Sequence, residues 1–189
     1  MRVKRLLWVL AATLALASGM AGCQGGLPAD GPLSSGNSRY GPVPDGAICA
    51  PGGTPQTFGN QTFTNYGNTD VVLDRVILLH PYRERLIGSY AVPGNSSVGT
   101  LRGWPPSQAE GPLPPEWKHR QPVHGFRLAP GRTFGIAIGI IATTPARGTS
   151  QGILVYYHDS AGSYVAKNYF ANVIGAVKHE CSLTGLHRP

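Results

Sequence analysis

The chain predicts an all-β fold, a two-layer antiparallel β-sandwich, and three observations carry that expectation. Short runs rich in Val, Ile, Thr, Tyr and Phe recur between residues 56 and 177, each closed by Gly, Pro or Asn. One of them, Phe134 to Thr143, alternates large and small side chains at a period of two. No stretch sustains the succession of helices that an α/β fold would need. The 26 glycines and 17 prolines among 189 residues approach the level of extended chain, but much of the excess lies in residues 25–55 and 103–115. The remainder can build a core, and its length suits one domain.

The first 22 residues read as an export signal. Arg2, Lys4 and Arg5 precede a short apolar stretch, Leu6 to Met20, which is too short for a comfortable membrane span. Small residues then lead into Cys23. The run Met20-Ala21-Gly22-Cys23 resembles a bacterial lipobox, with Met where that motif usually has Leu. The resemblance implies that Cys23 is lipidated and becomes the first residue of a mature protein held at the outer face of the cytoplasmic membrane. It also divides the three cysteines: Cys23 is acylated, which leaves Cys49 and Cys181 to pair in an oxidising compartment. Without the signal's three cations the formal charge of +7 falls to +4. That dispersed excess is no nucleic-acid footprint, so no nucleic-acid partner is expected.

Residues 23–47 hold Gly, Pro, Ser, Asp and Asn without any period, the composition of a flexible tether. The sandwich is expected over residues 48–181. Gln56 to Tyr66 mixes Thr with aromatics and closes on Gly67-Asn68. Val71 to Leu79 carries apolar residues on both faces, broken by Asp74 and Arg75, the pattern of a central or largely covered strand rather than an exposed edge. Leu86 to Val92 is a shorter strand. Residues 103–121 hold Pro105, Pro106, Pro112, Pro114 and Pro115 with Trp104 and Trp117, which excludes a regular helix or central strand. Such a loop is often functional; the favoured role here is a cover stapled down by its two tryptophans.

In the strand from Arg132 to Thr144, Phe134, Ile136, Ile138 and Ile140 form the core face. The opposite face, Gly135, Ala137 and Gly139, either admits a bulky group such as Trp104 or Trp117 or leaves a shallow groove. Gln151 to Asp159 is a further strand, and Ser160-Ala161-Gly162 a hairpin-like turn. Tyr164 to Val177 reads as one strand or a pair broken near Asn172, with a short helix as the alternative. Residues 182–189 read as a loose tail.

Asn65-Tyr66-Gly67-Asn68 before Val71 to Leu79, and Leu128-Ala129-Pro130-Gly131 before Phe134 to Ile141, resemble the turns of exported immunoglobulin-like accessory domains. The resemblance covers roughly residues 56–171 and implies immunoglobulin-like or related topology, with no catalytic residues. The Gly, Pro, Ala and Arg content also resembles that of proteins from GC-rich actinobacterial genomes.

Function is less legible. The six histidines show no His-x-x-x-His spacing, so neither metal nor cofactor is expected, although His80, His119, His124 and His158 could meet in space. Ser163 lacks a nucleophile-elbow context, and His158-Asp159 beside it fits a turn as well as a catalytic dyad. The expectation is therefore a non-catalytic protein-binding or structural module displayed outside the cytoplasmic membrane. Trp104, Trp117, Arg102, Arg120, Tyr156 and Tyr157 are its candidate surface, being residue types that dominate protein hot spots. The partner would be an envelope protein. The rival is a cell-wall glycan, whose sugar rings also suit Trp and Tyr faces. A metal-binding protein and a hydrolase rank below both.

Overall fold

The computed structural model describes residues 31–35 and 46–183. The expected signal segment, Cys23 and most of the expected tether and tail lie outside the described residues. Thirteen strands make up almost all the regular structure: β1 (Leu33–Ser35), β2 (Gly46–Ala50), β3 (Gln56–Asn65), β4 (Val71–Leu79), β5 (Glu84–Pro93), β6 (Gly99–Arg102), β7 (Gln121–Pro122), β8 (Arg127–Leu128), β9 (Thr133–Ala142), β10 (Gly148–Ser150), β11 (Gly152–His158), β12 (Ser163–Asn168) and β13 (Phe170–Ile174). Two 3-10 turns, Gln108–Glu110 and Pro115–His119, are the regular helical pieces of the described residues.

The strands form a sandwich. One sheet runs β1-β3-β9-β5-β7, with β6 sharing the outer edge of β3; the facing sheet runs β12-β11-β4-β8. Taking β1, β3, β4, β5, β9, β11 and β12 as A to G, these are the A-B-E-D and G-F-C orders of the constant-type immunoglobulin fold. A third, small sheet, β10-β13-β2, continues the hairpin of β11 and β12 beyond breaks at Gln151 and Tyr169. Pairing is antiparallel except between β13 and β2, which are parallel. Both facing sheets of the sandwich are wholly antiparallel, as expected, and the one parallel pair lies in the small third sheet.

The core lies where alternation placed it. Phe134, Ile136, Ile138 and Ile140 of β9, with Phe58 and Phe63 of β3, face Leu73 of β4 and Ile153, Val155 and Tyr157 of β11. Each such side chain contributes on the order of 1.5–3 kcal/mol when fully buried. Phe134 is central, with ring centroids 5.7 Å from Phe63 and 5.3 Å from Phe126.

Strand β4 is central, between β11 and β8, as expected, but its outer face is only partly covered. Tyr156 pairs with Arg75 and Tyr157 with Leu73, so Asp74 is the extra residue of a β-bulge. The bulge switches the inward set from Val71 and Leu73 to Val76 and Leu78, while Arg75 and Ile77 point outward. Apolar residues fall on both apparent faces because the alternation slips once, and Ile77 stays 38% exposed.

The tether also differs from its expected extent. Leu33–Ser35 pairs with β3, and Gly46 and Ala47 belong to β2. Leu33 N donates to Tyr157 Oη at 3.0 Å, and Ser35 Oγ donates to Lys167 O at 3.0 Å. Three residues between glycines and prolines are too few to show a period, so only the tertiary partners reveal this strand.

Cys49 of β2 and Cys181 form the expected disulfide, with Cα atoms 5.7 Å apart across a sequence separation of 132. The bridge ties the small sheet to the end of the described chain.

Candidate functional site

The small face of β9 is covered, and the Pro-rich segment does the covering. Gly139 and Gly88, cross-strand partners on β9 and β5, receive the indole of Trp104; a Cβ on Gly88 would lie 2.5 Å from its Nε1. Only glycine allows so close an approach. Around Trp104 lies a second apolar cluster of Val92, Val98, Trp117 and Ala137, with Tyr90, Leu101 and Leu113 packed against it. The loop thus adds a partial third layer outside the sandwich.

Tyr90 organises the polar rim of this layer. Its ring stacks on Trp104 at 5.4 Å and meets Trp117 edge-on at 5.7 Å. Arg120 places its guanidinium 4.6 Å from the Trp117 ring and 5.4 Å from that of Tyr90, and its Nη1 donates to Trp117 O at 3.1 Å. Tyr90 was not among the candidates, although it stands two residues from Gly88 on the same strand face.

The six candidates therefore do not make one surface. Trp104, Trp117 and Arg120 come together, but Trp117 is 6% exposed and belongs to the packing. Arg102 ends β6 and is exposed. Tyr156 and Tyr157 lie on the opposite sheet, and Tyr157 faces inward with no exposure, because its ring fills the core and its hydroxyl meets Leu33. Tyr156 faces outward, under the guanidinium of Arg75 at 4.1 Å.

That outward face carries a second grouping, around the bulge. His158 Nδ1 lies 2.9 Å from Asp74 Oδ1, with the two side chains 46% and 37% exposed. His124 Nδ1 lies 3.2 Å from Asp74 O. Ser163 is opposite His158 in the β11–β12 register. The carboxylate orients the His158 ring through Nδ1. Because the acid of this pair is the bulged residue itself, its evident action is to hold the bulge. His80 bonds Gln151 instead, at 2.7 Å. Among the described residues no three His, Cys, Asp or Glu side chains converge as a metal would require.

Asp159 builds the β11–β12 turn. Its Oδ1 accepts from Ala161 N at 2.7 Å and Gly162 N at 3.0 Å, and Oδ2 accepts from Thr69 at 3.4 Å. The Ala161 amide leads in holding this carboxyl below its ordinary value. Desolvation, then Asp159, raises the Tyr164 phenol.

A buried polar group between the sheets escaped the sequence reading. Gln61 Nε2 donates to Asn172 Oδ1 at 3.2 Å, and Asn172 Nδ2 to Ser150 Oγ at 3.4 Å. Beside them Glu84 is 7% exposed. Burial pushes its carboxyl up to about 7, while Ser150 and the Ile174 amide pull the other way. Neither reaches it with hydrogen-bond geometry, so both carboxyl oxygens are buried without a partner. Nothing in a lone Glu before a strand announces this burial.

No family model and no curated protein matches the sequence. Among solved structures, the chain is similar to the ASH/PapD-like domain 7 of human CEP192, at 12% identity over 91% of this chain and 100% of that one, with a TM-score of 0.38. It is also similar to the Vibrio cholerae VesB protease, at 12% identity over 70% of this chain and TM-score 0.35, but spans only 31% of that protein. The secreted serine protease VesC from Vibrio cholerae gives 17% identity, 66% of this chain, 21% of that chain and TM-score 0.25. At such scores these likenesses carry no conclusion about activity.

Proposed function

We propose that this protein is a lipid-anchored lipoprotein displaying a non-catalytic, protein-binding immunoglobulin-like module outside the cytoplasmic membrane. The observation that carries the binding reading is the division of its aromatics. Trp104 and Trp117 are engaged in an apolar third layer over β5 and β9, which suits packing better than stacking on a sugar ring. The outer face of β4, β11 and β12 keeps Tyr156, Arg75 and Ile77 accessible, an aromatic, a cation and an aliphatic side by side. The disulfide accords with an oxidising, extracytoplasmic address.

In-cell crosslinking from this face tests the reading, with Cys23→Ser as the unanchored control. One envelope protein recovered through Arg75 and Tyr156, and lost in the control, is the expected result. Crosslinks to wall glycan instead would overturn it in favour of a carbohydrate-binding module.

A further inference from the structure

The position of β1 sets how the domain meets its membrane. Pro32 O accepts from Tyr66 N at 2.9 Å, and a Cβ on Gly31 would meet Tyr157 and Tyr164. The chain therefore enters the sandwich at the end built from the turns 66–70, 129–132 and 160–162. Arg132 O accepts from Asn65 N, and Thr69 bonds Asp159, which joins these turns into one tip. Cys23 precedes Pro32 by only nine residues. Whatever its conformation, a nine-residue stretch of chain cannot exceed roughly 30 Å. The whole of residues 23–47 as a stalk would have reached much farther.

Tyr66, at this tip, is 71% exposed, the most exposed large hydrophobic side chain among the described residues. Arg127 and Arg132 stand exposed near it. Two acids stand there as well, Asp70 and Asp159, and the Ala161 and Gly162 amides hold the Asp159 carboxylate ionised. An exposed Tyr flanked by Arg suits the headgroup layer of a bilayer, where the ring and the cations each find partners.

We infer that the Tyr66 tip lies against the phospholipid bilayer carrying the Cys23 anchor, so that the domain sits on the membrane with its disulfide end outermost. This rests on the lipid-anchor reading above. The test uses the full lipidated protein in vesicles of phosphatidylglycerol and phosphatidylcholine containing a nitroxide-headgroup lipid. A fluorophore is placed at Asn68→Cys, at Ser160→Cys as a second tip position, or at Lys178→Cys on the far end, after the native disulfide has closed. A strand of ten residues separates the ends by about 33 Å, so quenching at the tip should exceed that at residue 178 about threefold or more. Adding Tyr66→Ser and Arg132→Ser should bring the tip signal toward the far-end value. Equal or reversed quenching in protein that floats with the vesicles overturns this inference alone, as does a tip signal unchanged by the double variant. Wild-type protein that neither floats nor carries an acyl mass overturns the anchor reading and this inference with it.

Discussion

The indole of Trp104 rests on Gly139, occupying the space where any other residue would place its Cβ. This contact turns a Pro-rich loop into a structural layer, and it joins residues 103–121 to the middle of the sheet. Gly139→Val should expel the ring, destabilising the domain by about 1–3 kcal/mol or more as an overpacked core does. Trp104→Ala should cost less than the roughly 3–5 kcal/mol of a fully buried Trp, because the indole is only partly buried. Urea unfolding reads both, and red-shifted tryptophan emission should accompany the glycine variant while the fold persists.

Asn65 supports the tip from within. Its Nδ2 donates to Thr69 O at 2.9 Å and Leu128 O at 3.0 Å, and its Oδ1 accepts from Gly67 N at 2.9 Å. With no residual exposure, it is the buried pin of an Asx-type turn. Asn65→Ala should cost about 3 kcal/mol, near 1 kcal/mol per lost bond. Thermal and urea unfolding measure the loss, and Asn65→Asp should recover only the Gly67 contact.

Glu84 should make stability fall as pH rises. Its carboxyl titrates near 7 in the fold against an ordinary 4.5, so the folded state binds a proton more tightly than the unfolded chain. The contribution is fully present below about pH 4.5, declines as pH climbs toward 7, and is gone above that value. A shift of this size corresponds to about 3 kcal/mol across the window. Urea unfolding at a series of pH values, wild type against Glu84→Gln, isolates it. The difference between the two proteins should grow steadily between those limits, with Glu84→Gln the more stable partner at pH 8.

Removing the Cys49–Cys181 bridge should cost about 4–5 kcal/mol by the chain-entropy model for so long a loop, less any native strain. Unfolding of Cys49→Ser/Cys181→Ser against wild type gives the value. A change below about 1 kcal/mol would mean that the unfolded chain is already held compact.

Legibility in the sequence followed the number of partners that each feature needs. Phe134 to Ile140 could be read alone, because alternation on one strand already separates core face from small face, and Trp104 was a named candidate to cover the latter. The slip at Asp74 could not, since a bulge is defined against the facing strand; Arg75 marked the place without giving the reason. Leu33–Ser35 was invisible because a three-residue strand is made by β3 and Tyr157, not by its own pattern. Tyr156 and Tyr157 were grouped as neighbours, yet adjacent positions on a strand point to opposite sides, and the two have opposite fates. The polar set of Glu84, Gln61, Ser150 and Asn172 draws on four strands and leaves no trace in any one of them.

The disulfide also alters how the protein would carry load. A tension applied between Cys23 and a partner gripping Tyr156 can peel β1 and β2 but meets a covalent shortcut at Cys49. From there the shortest path crosses to Cys181 and returns through β13, β12 and the β11–β12 turn, bypassing β3 to β10. Most of the sandwich then lies off the line of force, and a module held at Cys23, as proposed above, would be tugged without paying out its core.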